Sequence, residues 1–262
     1  MQRTGGPTIP TQEVVIFITA DESMDVRQAR HGPRPLRSTN DTIHRFQHVD
    51  PSAQGLLFVP AKAGKRDGIT TTYIVMERIR GETLASAWPT LAASSRDKIL
   101  LQLRHFVDEM RSLPAPKREH KISNVGGGSL WDCRLVSGVD RFGPFKDPQA
   151  FHLFLRNGLE KAPSPEVPEV DEMIKLQARD WGPVVFTHGD LSSLNILVQD
   201  DNIVGIVDWE TAGWYPPYWE YTTACQVNFR NMFWADWIDE FLEPWPDALK
   251  MERVRQRWWG VI

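Results

Sequence analysis

The sequence predicts an α+β fold in which strands come first and helices follow. β-branched and apolar residues concentrate in two early segments, 13–19 and 71–79, as is typical of strands. From about residue 94 onward, apolar residues recur at helical spacing. Two short apolar runs near residue 200 interrupt the helical part. We therefore expect a small β insertion inside a mostly helical region.

The N-terminal part is predicted to be a small β lobe. A turn at 65–68 would join a strand at 56–59 to the strand at 71–79 as a hairpin. Residues 20–55 show neither helical nor strand periodicity and are rich in Arg, His and Pro. We expect this segment to be a loop or to be poorly ordered.

The helices that follow have recognisable starts and ends. Ser94 or Ser95 is the expected N-cap of a helix that Pro114 ends. Asp147 followed by Pro148 predicts another start, because proline is favoured at the first helical position after a capping side chain. The remaining helices are predicted from Pro148 to Leu159 and over 170–178, 228–242 and 247–258. A strand is expected at 184–187.

Composition limits the classes of protein to which the chain can belong. Of 262 residues, 41% are hydrophobic and 24% are charged, with a net charge of −4, as in an ordinary soluble globular protein. The charge balance provides no positive field for nucleic acid, and the apolar run at 14–18 is too short to span a membrane. Cys133 and Cys225 cannot form a disulfide framework, so we expect a reducing, cytoplasmic location.

One stretch carries most of the chemical information. His188, Gly189 and Asp190 are followed by Asn195, and two apolar runs, 196–198 and 203–207, come next. A turn between these runs makes them a hairpin. If Asp201-Asn202 is the two-residue loop, the two residue numbers of each opposed pair add up to 403. Asn195 then faces Asp208 across the hairpin, with about 4.5–5.5 Å between Cα atoms.

These side chains suit phosphoryl transfer. An amide oxygen from Asn195 and a carboxylate from Asp208 are hard ligands, which Mg²⁺ prefers. Asp190 would remain free to orient an attacking hydroxyl and accept its proton. Phosphoryl transfer needs both elements, because metal ions neutralise the phosphate charge while a carboxylate positions the nucleophile.

The same residues resemble a known family, the aminoglycoside phosphotransferase-like branch of the protein-kinase-like superfamily, especially its fungal members. His188-Gly189-Asp190-Leu191 with Asn195 is similar to the catalytic loop of that family. The segment 208–216 resembles its metal-binding segment, and residues 73–84 resemble its hinge between lobes. The resemblance runs from about residue 56 to the C-terminus.

That resemblance implies a protein-kinase-like bilobal fold. A reduced or degenerate N-terminal β lobe would occupy residues 1–79, and a mostly helical C-terminal catalytic lobe would occupy residues 80–262. In the family pattern the backbone groups of Glu77 and Ile79 would bind the adenine of ATP. The His188 side chain would support its loop by hydrogen bonding.

The family roles of the remaining motif residues follow in the same way. The resemblance makes Asp190 the catalytic residue and Asn195 and Asp208 the Mg²⁺ ligands. The implied function is an ATP- and Mg²⁺-dependent phosphotransferase acting on a hydroxyl of a small molecule. Neither a nucleic acid nor a membrane is an expected partner, and the sequence indicates neither the phosphate acceptor nor the oligomeric state.

A second hypothesis is a catalytically impaired, pseudokinase-like binding protein. Kinase-type catalysis uses a lysine on an early strand, paired with a helix glutamate, to hold the phosphates. Before the strand at 71–79 the only lysines are Lys62 and Lys65, and the only glutamates, Glu13 and Glu22, precede them. The nucleotide lobe is therefore expected to be atypical.

Overall fold

The structure is a computed structural model that describes residues 14–20, 61–62, 71–77, 79–132, 134–135, 141–226 and 231–260. The chain divides into two compact units, Met1–Arg78 and Ile79–Ile262. The loop expected at 20–55 lies outside the described residues except for Ala20. The strand expected at 56–59 and the turn expected at 65–68 also lie outside them.

The first unit contains an antiparallel sheet. Its strands are β1 (Val14–Ala20), β2 (Ala61–Lys62) and β3 (Thr71–Glu77), in the order β1-β3-β2. The pairing runs from Val14 opposite Glu77 to Ala20 opposite Thr71. Both long strands are rich in Val, Ile and Thr, which favour a pleated backbone. The predicted strands at 13–19 and 71–79 are confirmed to within two residues at each end.

The second unit mixes short strands with helices, which confirms the α+β class. Its described strands are β4 (Glu82–Thr83), β5 (Ser123–Asn124), β6 (Val185–Thr187), β7 (Ile196–Gln199), β8 (Asn202–Ile206) and β9 (Gly213–Tyr215). Its described α-helices are α1 (Leu84–Ala87), α2 (Ala93–Ser112), α3 (Pro148–Leu155), α4 (Pro168–Gln177), α5 (Trp219–Ala224), α6 (Ile238–Phe241) and α7 (Pro246–Trp259). Short 3₁₀ helices cover Trp88–Thr90, Trp209–Thr211 and Met232–Trp237.

Helix α2 begins earlier than its serines suggested. The N-cap is Ala92, which offers no side-chain hydrogen bond, so the prediction of a cap at Ser94 or Ser95 is wrong. Both serines lie inside the first turn. The helix ends before Pro114, as predicted, since proline disfavours a helical conformation in the residue before it.

Helix α3 has the predicted start but a shorter body. The Asp147 side chain accepts a hydrogen bond from the Ala150 N–H at 2.9 Å, and Pro148 occupies the first helical position. The helix stops at Leu155, four residues before the predicted end. Asn157 and Gly158 follow with φ values of 51° and 75°, and this left-handed backbone cannot continue a right-handed helix.

Two small antiparallel sheets carry the loops that matter for function. One has the order β4-β7-β8 and the other the order β5-β9-β6. The chain leaves β6, forms the loop at 188–195 and enters the hairpin β7–β8. It then returns through residues 207–212 to β9. Both motif loops therefore connect the same two sheets.

The predicted register of the hairpin is wrong. Its pairs are Ile196↔Ile206, Leu197↔Gly205, Val198↔Ile203 and Gln199↔Asn202. The two-residue loop is thus Asp200-Asp201, one residue earlier than predicted, and Asp200 adopts a left-handed φ of 58°. Val204 is the extra residue of a bulge, which shifts the pairing towards the open end of the hairpin.

Helix α2 holds the tip of this hairpin. Lys98 Nζ donates to Asp201 Oδ1 at 2.9 Å. The Gln102 side chain donates to the Asp201 carbonyl oxygen at 2.9 Å and accepts from the Ile203 N–H at 3.1 Å. An amide that bonds both the turn and the start of β8 fixes the hairpin against the helix.

Apolar side chains form two clusters in the second unit. The first joins α1, α2 and β7 to the segment 232–242, and Leu191 of the motif loop is buried in it. The second joins α3, α4 and α7 to Tyr215, Tyr218 and Trp219. The loop at 188–195 and the strand β9, which follows the loop at 207–212, are therefore both attached to buried core. Among the described residues, none of the helices has both the length and the apolar character needed to cross a membrane.

A buried histidine in the second cluster should make stability depend on pH. His152 Nδ1 donates to the Gln177 carbonyl oxygen at 2.7 Å, and its Nε2 accepts from the Tyr218 hydroxyl at 2.6 Å. Burial lowers the pKa of His152 from 6.5 to about 4, so the folded protein keeps the ring neutral. The unfolded chain therefore takes up a proton between these two values, and stability is lost as pH falls through that range.

We expect the free energy of unfolding to fall between pH 7 and pH 5 by about 2 kcal/mol more in the wild type than in His152→Gln. Urea unfolding of both proteins at the two pH values measures the difference. Other titrating groups, including the second buried histidine, His188, are common to both proteins and cancel. Equal pH dependence in the two proteins would contradict a neutral His152.

Candidate active site

The motif loop at 188–195, between β6 and β7, is fixed by hydrogen bonds to a carboxylate on α5. Glu220 accepts hydrogen bonds from the backbone N–H groups of His188 and Gly189, at 2.6 and 3.0 Å. Burial raises the pKa of Glu220 to about 7, while these two N–H groups act to lower it. Sequence reasoning missed this residue, although a lone glutamate in the buried segment Trp219–Ala224 was an available signal.

Gly189 is required where the loop turns. Its φ is 85°, a conformation that costs other residues steric strain. A Cβ there would lie 2.9 Å from Thr211 Oγ1 and 3.1 Å from the Thr211 carbonyl oxygen. The same Thr211 hydroxyl donates to the His188 carbonyl oxygen at 2.8 Å. The loop therefore packs backbone to backbone against the segment that follows β8.

His188 supports the loop as a neutral ring. Its Nε2 donates to the Val207 carbonyl oxygen at 3.1 Å, and its Nδ1 accepts from the Asp190 N–H at 3.2 Å. Burial lowers its pKa to about 4. Both ring nitrogens are used in fixed hydrogen bonds, so the side chain joins the two motif loops.

Asp190 and Asn195 are in direct contact. Asn195 Nδ2 donates to Asp190 Oδ2 at 2.8 Å and to the Asp190 carbonyl oxygen at 3.0 Å. The Asp190 side chain is 41% exposed, which leaves its carboxylate accessible to a small molecule. The amide of Asn195 thus fixes the carboxylate while its own Oδ1 is a separate potential ligand.

Asp208 does not face Asn195 across the hairpin, contrary to the predicted register. The bulge makes Val207 the neighbour of Asn195, and the Val207 N–H donates to the Asn195 carbonyl oxygen at 2.9 Å. Asp208 follows with a left-handed backbone, φ 68° and ψ 58°. Burial and the charge of Asp190 both raise the pKa of the Asp208 carboxyl, so the two carboxylates share one electrostatic environment.

Glu210 belongs to the same environment. Burial raises its pKa to about 7, and the charges of Asp208, Asp190 and Asp132 add to this rise, while Arg134 opposes it. Its neighbour Trp209 is half exposed, and the indole ring centroid lies 4.4 Å from that of His188. An excess of negative charge therefore surrounds the end of the hairpin.

Asp132 and Arg134 are two residues that the sequence motif did not indicate. Arg134 Nε and Nη2 donate to the two oxygens of Asp132 at 2.8 and 2.7 Å. Nη2 also donates to the Gly189 carbonyl oxygen at 2.5 Å. Both residues lie more than 50 positions before the loop, so their contact with it could not be obtained from local spacing.

These side chains could hold a divalent cation. Among the described residues, no group of three His, Cys, Asp or Glu side chains is arranged to hold a metal. Magnesium, however, is often bound by one or two protein oxygens with water completing the shell. The Asn195 amide oxygen and the Asp208 carboxylate are oxygens of that type. Burial and the charge of Asp190 raise the pKa of Asp208, and a cation nearby would act to lower it again.

The two residues predicted to bind adenine, Glu77 and Ile79, belong to different units of the chain. Glu77 is the last residue of β3, in the first unit. Ile79 begins the second unit, and its side chain lies against Gly205, where a Cβ would approach Ile79 Cδ1 to 2.7 Å. Their role in nucleotide binding stays a prediction.

The model of a family described as the phosphotransferase enzyme family matches residues 11–255. No curated protein matches the chain. The family match covers both motif loops and most of the first unit.

Several solved structures are similar to the chain at low identity. They include aminoglycoside 2'-phosphotransferase-IIIa in its GDP complex, at 16% identity and a TM-score of 0.43, covering 73% of this chain and 63% of that one. Macrolide 2'-phosphotransferase MphH from Brachybacterium faecium, as apoenzyme, has 18% identity and a TM-score of 0.40, covering 71% and 61%.

A third similar structure is a thermostable mutant (N202A) of aminoglycoside phosphotransferase APH(4)-Ia, in a ternary complex with AMP-PNP and hygromycin B. It has 17% identity and a TM-score of 0.39, covering 78% of this chain and 62% of that one. The chain spans less than two thirds of the length of each of these three structures.

Proposed function

The chain belongs to the phosphotransferase enzyme family, and from this premise we propose that it transfers the γ-phosphoryl group of ATP to a hydroxyl of a small molecule, with Mg²⁺ as cofactor. One observation carries the proposal. Asp190, half exposed on its loop, has one carboxylate oxygen fixed by Asn195 at 2.8 Å. Such an oriented carboxylate is what an attacking hydroxyl needs in phosphoryl transfer.

In the proposed reaction Asp190 is the group that touches the acceptor. Its carboxylate accepts a hydrogen bond from the acceptor hydroxyl and then takes the proton. The hydroxyl oxygen forms a bond to the γ-phosphorus, and the bond from that phosphorus to the bridging β–γ oxygen breaks. ADP leaves with the electron pair of the broken bond, and the phosphorylated acceptor leaves separately.

Asn195 and Asp208 are the proposed Mg²⁺ ligands. When bound, Mg²⁺ would supply positive charge to the phosphate oxygens. The residues of the chain do the positioning. Asn195 donates a hydrogen bond to Asp190 through Nδ2, and its Oδ1 would bind the metal. One side chain would therefore connect the proposed base to the proposed metal site. Burial and the charge of Asp190 raise the pKa of Asp208, and a bound cation would stabilise the ionised carboxylate against both.

The nucleotide is proposed to bind across the hinge residues. Backbone groups of Glu77 and Ile79 would bind adenine, with residues 1–79 as the nucleotide lobe and 80–262 as the catalytic lobe. Solved structures of other proteins, at low identity to this chain, contain AMP-PNP or GDP. Because AMP-PNP is an analogue of ATP, we would test ATP first and GTP second.

We expect ATP at a hundred times its dissociation constant, with Mg²⁺, to raise the melting temperature of the protein by about 5 °C or more. The rise should be largely lost when EDTA removes Mg²⁺. Differential scanning fluorimetry measures both conditions. ADP formation in the presence of kanamycin, hygromycin B and simple alcohols such as choline and homoserine then tests for an acceptor.

Two outcomes separate this proposal from its alternative. A Mg²⁺-dependent rise together with ADP formation supports the phosphotransferase. The absence of any rise at millimolar Mg²⁺ and ATP or GTP would contradict it and favour a binding protein with an incomplete nucleotide lobe.

A further inference from the structure

Arg134 is held in one orientation by a buried carboxylate. Its Nε and Nη2 bond the two oxygens of Asp132, at 2.8 and 2.7 Å, and the Arg134 backbone N–H bonds Asp132 Oδ1 at 2.9 Å. The Asp132 side chain is only 1% exposed and that of Arg134 is 17% exposed. A bidentate pair of this kind fixes the plane of the guanidinium group.

The fixed guanidinium group meets the motif loop at two points. Nη2 donates to the Gly189 carbonyl oxygen at 2.5 Å, and Nη1 lies 3.7 Å from Asp190 Oδ1. Asn195 bonds the other oxygen of the same carboxylate, Oδ2, at 2.8 Å. The Asp190 carboxylate therefore has an amide on one side and a cation on the other.

We propose that Arg134 is a positioning residue that orients the Asp190 carboxylate towards the acceptor hydroxyl, an inference that rests on the proposed phosphotransferase function. It acts through Asp190 and through the backbone of Gly189. Because Asp132 neutralises much of the positive charge of Arg134, Arg134 contributes chiefly by setting the direction in which Asp190 Oδ1 points. This defines a second support for the carboxylate, independent of Asn195.

The geometry explains why arginine occupies the position. A guanidinium group has five N–H donors in a plane, so it can bond Asp132 twice while it also reaches Gly189 and Asp190. A lysine ammonium group is a point charge that could not keep all these contacts at once. Arg134→Lys should therefore retain part of the positioning, and Arg134→Gln should lose it.

The test compares two probes by differential scanning fluorimetry: Mg²⁺ with ADP, and the same mixture with aluminium fluoride, which mimics the phosphoryl group in transfer. In the wild type we expect aluminium fluoride to raise the melting temperature beyond the rise with Mg²⁺ and ADP alone. Arg134→Gln should keep the rise with Mg²⁺ and ADP but lose the additional rise. Arg134→Lys should keep at most half of that additional rise.

A kinetic split gives a second readout. With an acceptor that supports ADP formation, kcat of Arg134→Gln should fall about 100-fold, while KM for ATP changes less than threefold. Arg118→Gln is the matched control, because Arg118 is an exposed arginine that donates to the Val125 carbonyl oxygen and has no contact with Asp190 among the described interactions. This control should behave as the wild type in both measurements.

Each remaining outcome counts against a specific claim. If Arg134→Gln folds and keeps the full additional rise with aluminium fluoride, the positioning role is overturned. It is also overturned if the rise with Mg²⁺ and ADP shrinks in step with the fall in the melting temperature of the unliganded variant, because that result would indicate general destabilisation. If Arg134→Gln does not fold, Arg134→Lys decides, and full wild-type behaviour of that variant overturns the role. A wild type that responds to neither probe refutes the proposed function instead.

Discussion

We expect replacement of Asp190, the proposed general base, with asparagine to lower the rate of phosphoryl transfer by about a thousandfold, which is the typical contribution of a positioned general base. Asparagine is nearly the same size and can still accept the hydrogen bond that Asn195 Nδ2 donates to Oδ2. It cannot take a proton from the acceptor hydroxyl. The loss should therefore lie in kcat, with little change in KM for ATP.

The initial rate of ADP formation measures this effect, and the melting-temperature rise with Mg²⁺ and ATP shows whether nucleotide still binds. Asp171→Asn is a suitable control, because Asp171 is a carboxylate on the surface of α4 that pairs with Lys175. That variant should keep the wild-type rate. If Asp190→Asn retained a tenth or more of the rate, Asp190 would not be the base.

The second large effect is expected from Gly189→Ala. The substitution places a side chain at a φ of 85° and brings its Cβ to 2.9 Å from Thr211 Oγ1. Backbone strain and overpacking together should cost about 2–5 kcal/mol. Relief of that contact would move the N–H groups that bond Glu220, so turnover should fall as well as stability.

Gly158→Ala isolates the backbone contribution. Gly158 also has a positive φ, 75°, but nothing lies within 4 Å of its Cβ position. This control should lose only about 1–2 kcal/mol and keep its turnover. Urea unfolding and ADP formation are measured for both variants, and equal losses in the two would show that the contact with Thr211 does not matter.

The long strands β1 and β3, the hairpin strands and the longer helices α2, α4 and α7 could be predicted because their signals are local. Asp147 and Pro148 define a helix start within two positions, and the motif from His188 to Asn195 fits on one short loop. Helix α3 ends early because Asn157 and Gly158 adopt left-handed backbone. Asparagine and glycine are the residues that most readily do so, and the apolar pattern masked this signal.

The hairpin register could not be predicted from residue types. Asp200, Asp201 and Asn202 all tolerate the left-handed conformation that a tight turn requires, so the sequence does not choose among them. The bulge at Val204 lies next to Gly205, and an isolated glycine inside a strand run is a local signal for a bulge that the predicted register did not use. The error moved Asp208 by one position relative to Asn195, but Asp208 still shares the electrostatic environment of Asp190.

Asp132, Arg134 and Glu220 escaped prediction for a different reason. Each reaches the motif loop from a distant part of the chain, and nothing in the sequence near residue 190 refers to them. A buried ion pair and a buried carboxylate are expensive to place in a core unless they satisfy other groups. Here they satisfy backbone groups of Gly189 and His188.

The bond between Glu220 and the motif loop has a consequence for cooperativity. Loops commonly open locally at little free-energy cost, while core helices open only with the whole domain. The amides of His188 and Gly189 end on a carboxylate of α5, and that helix is buried throughout. We therefore expect the loop to open together with the buried core around α5 rather than by itself, and its geometry to persist for as long as that core stays intact.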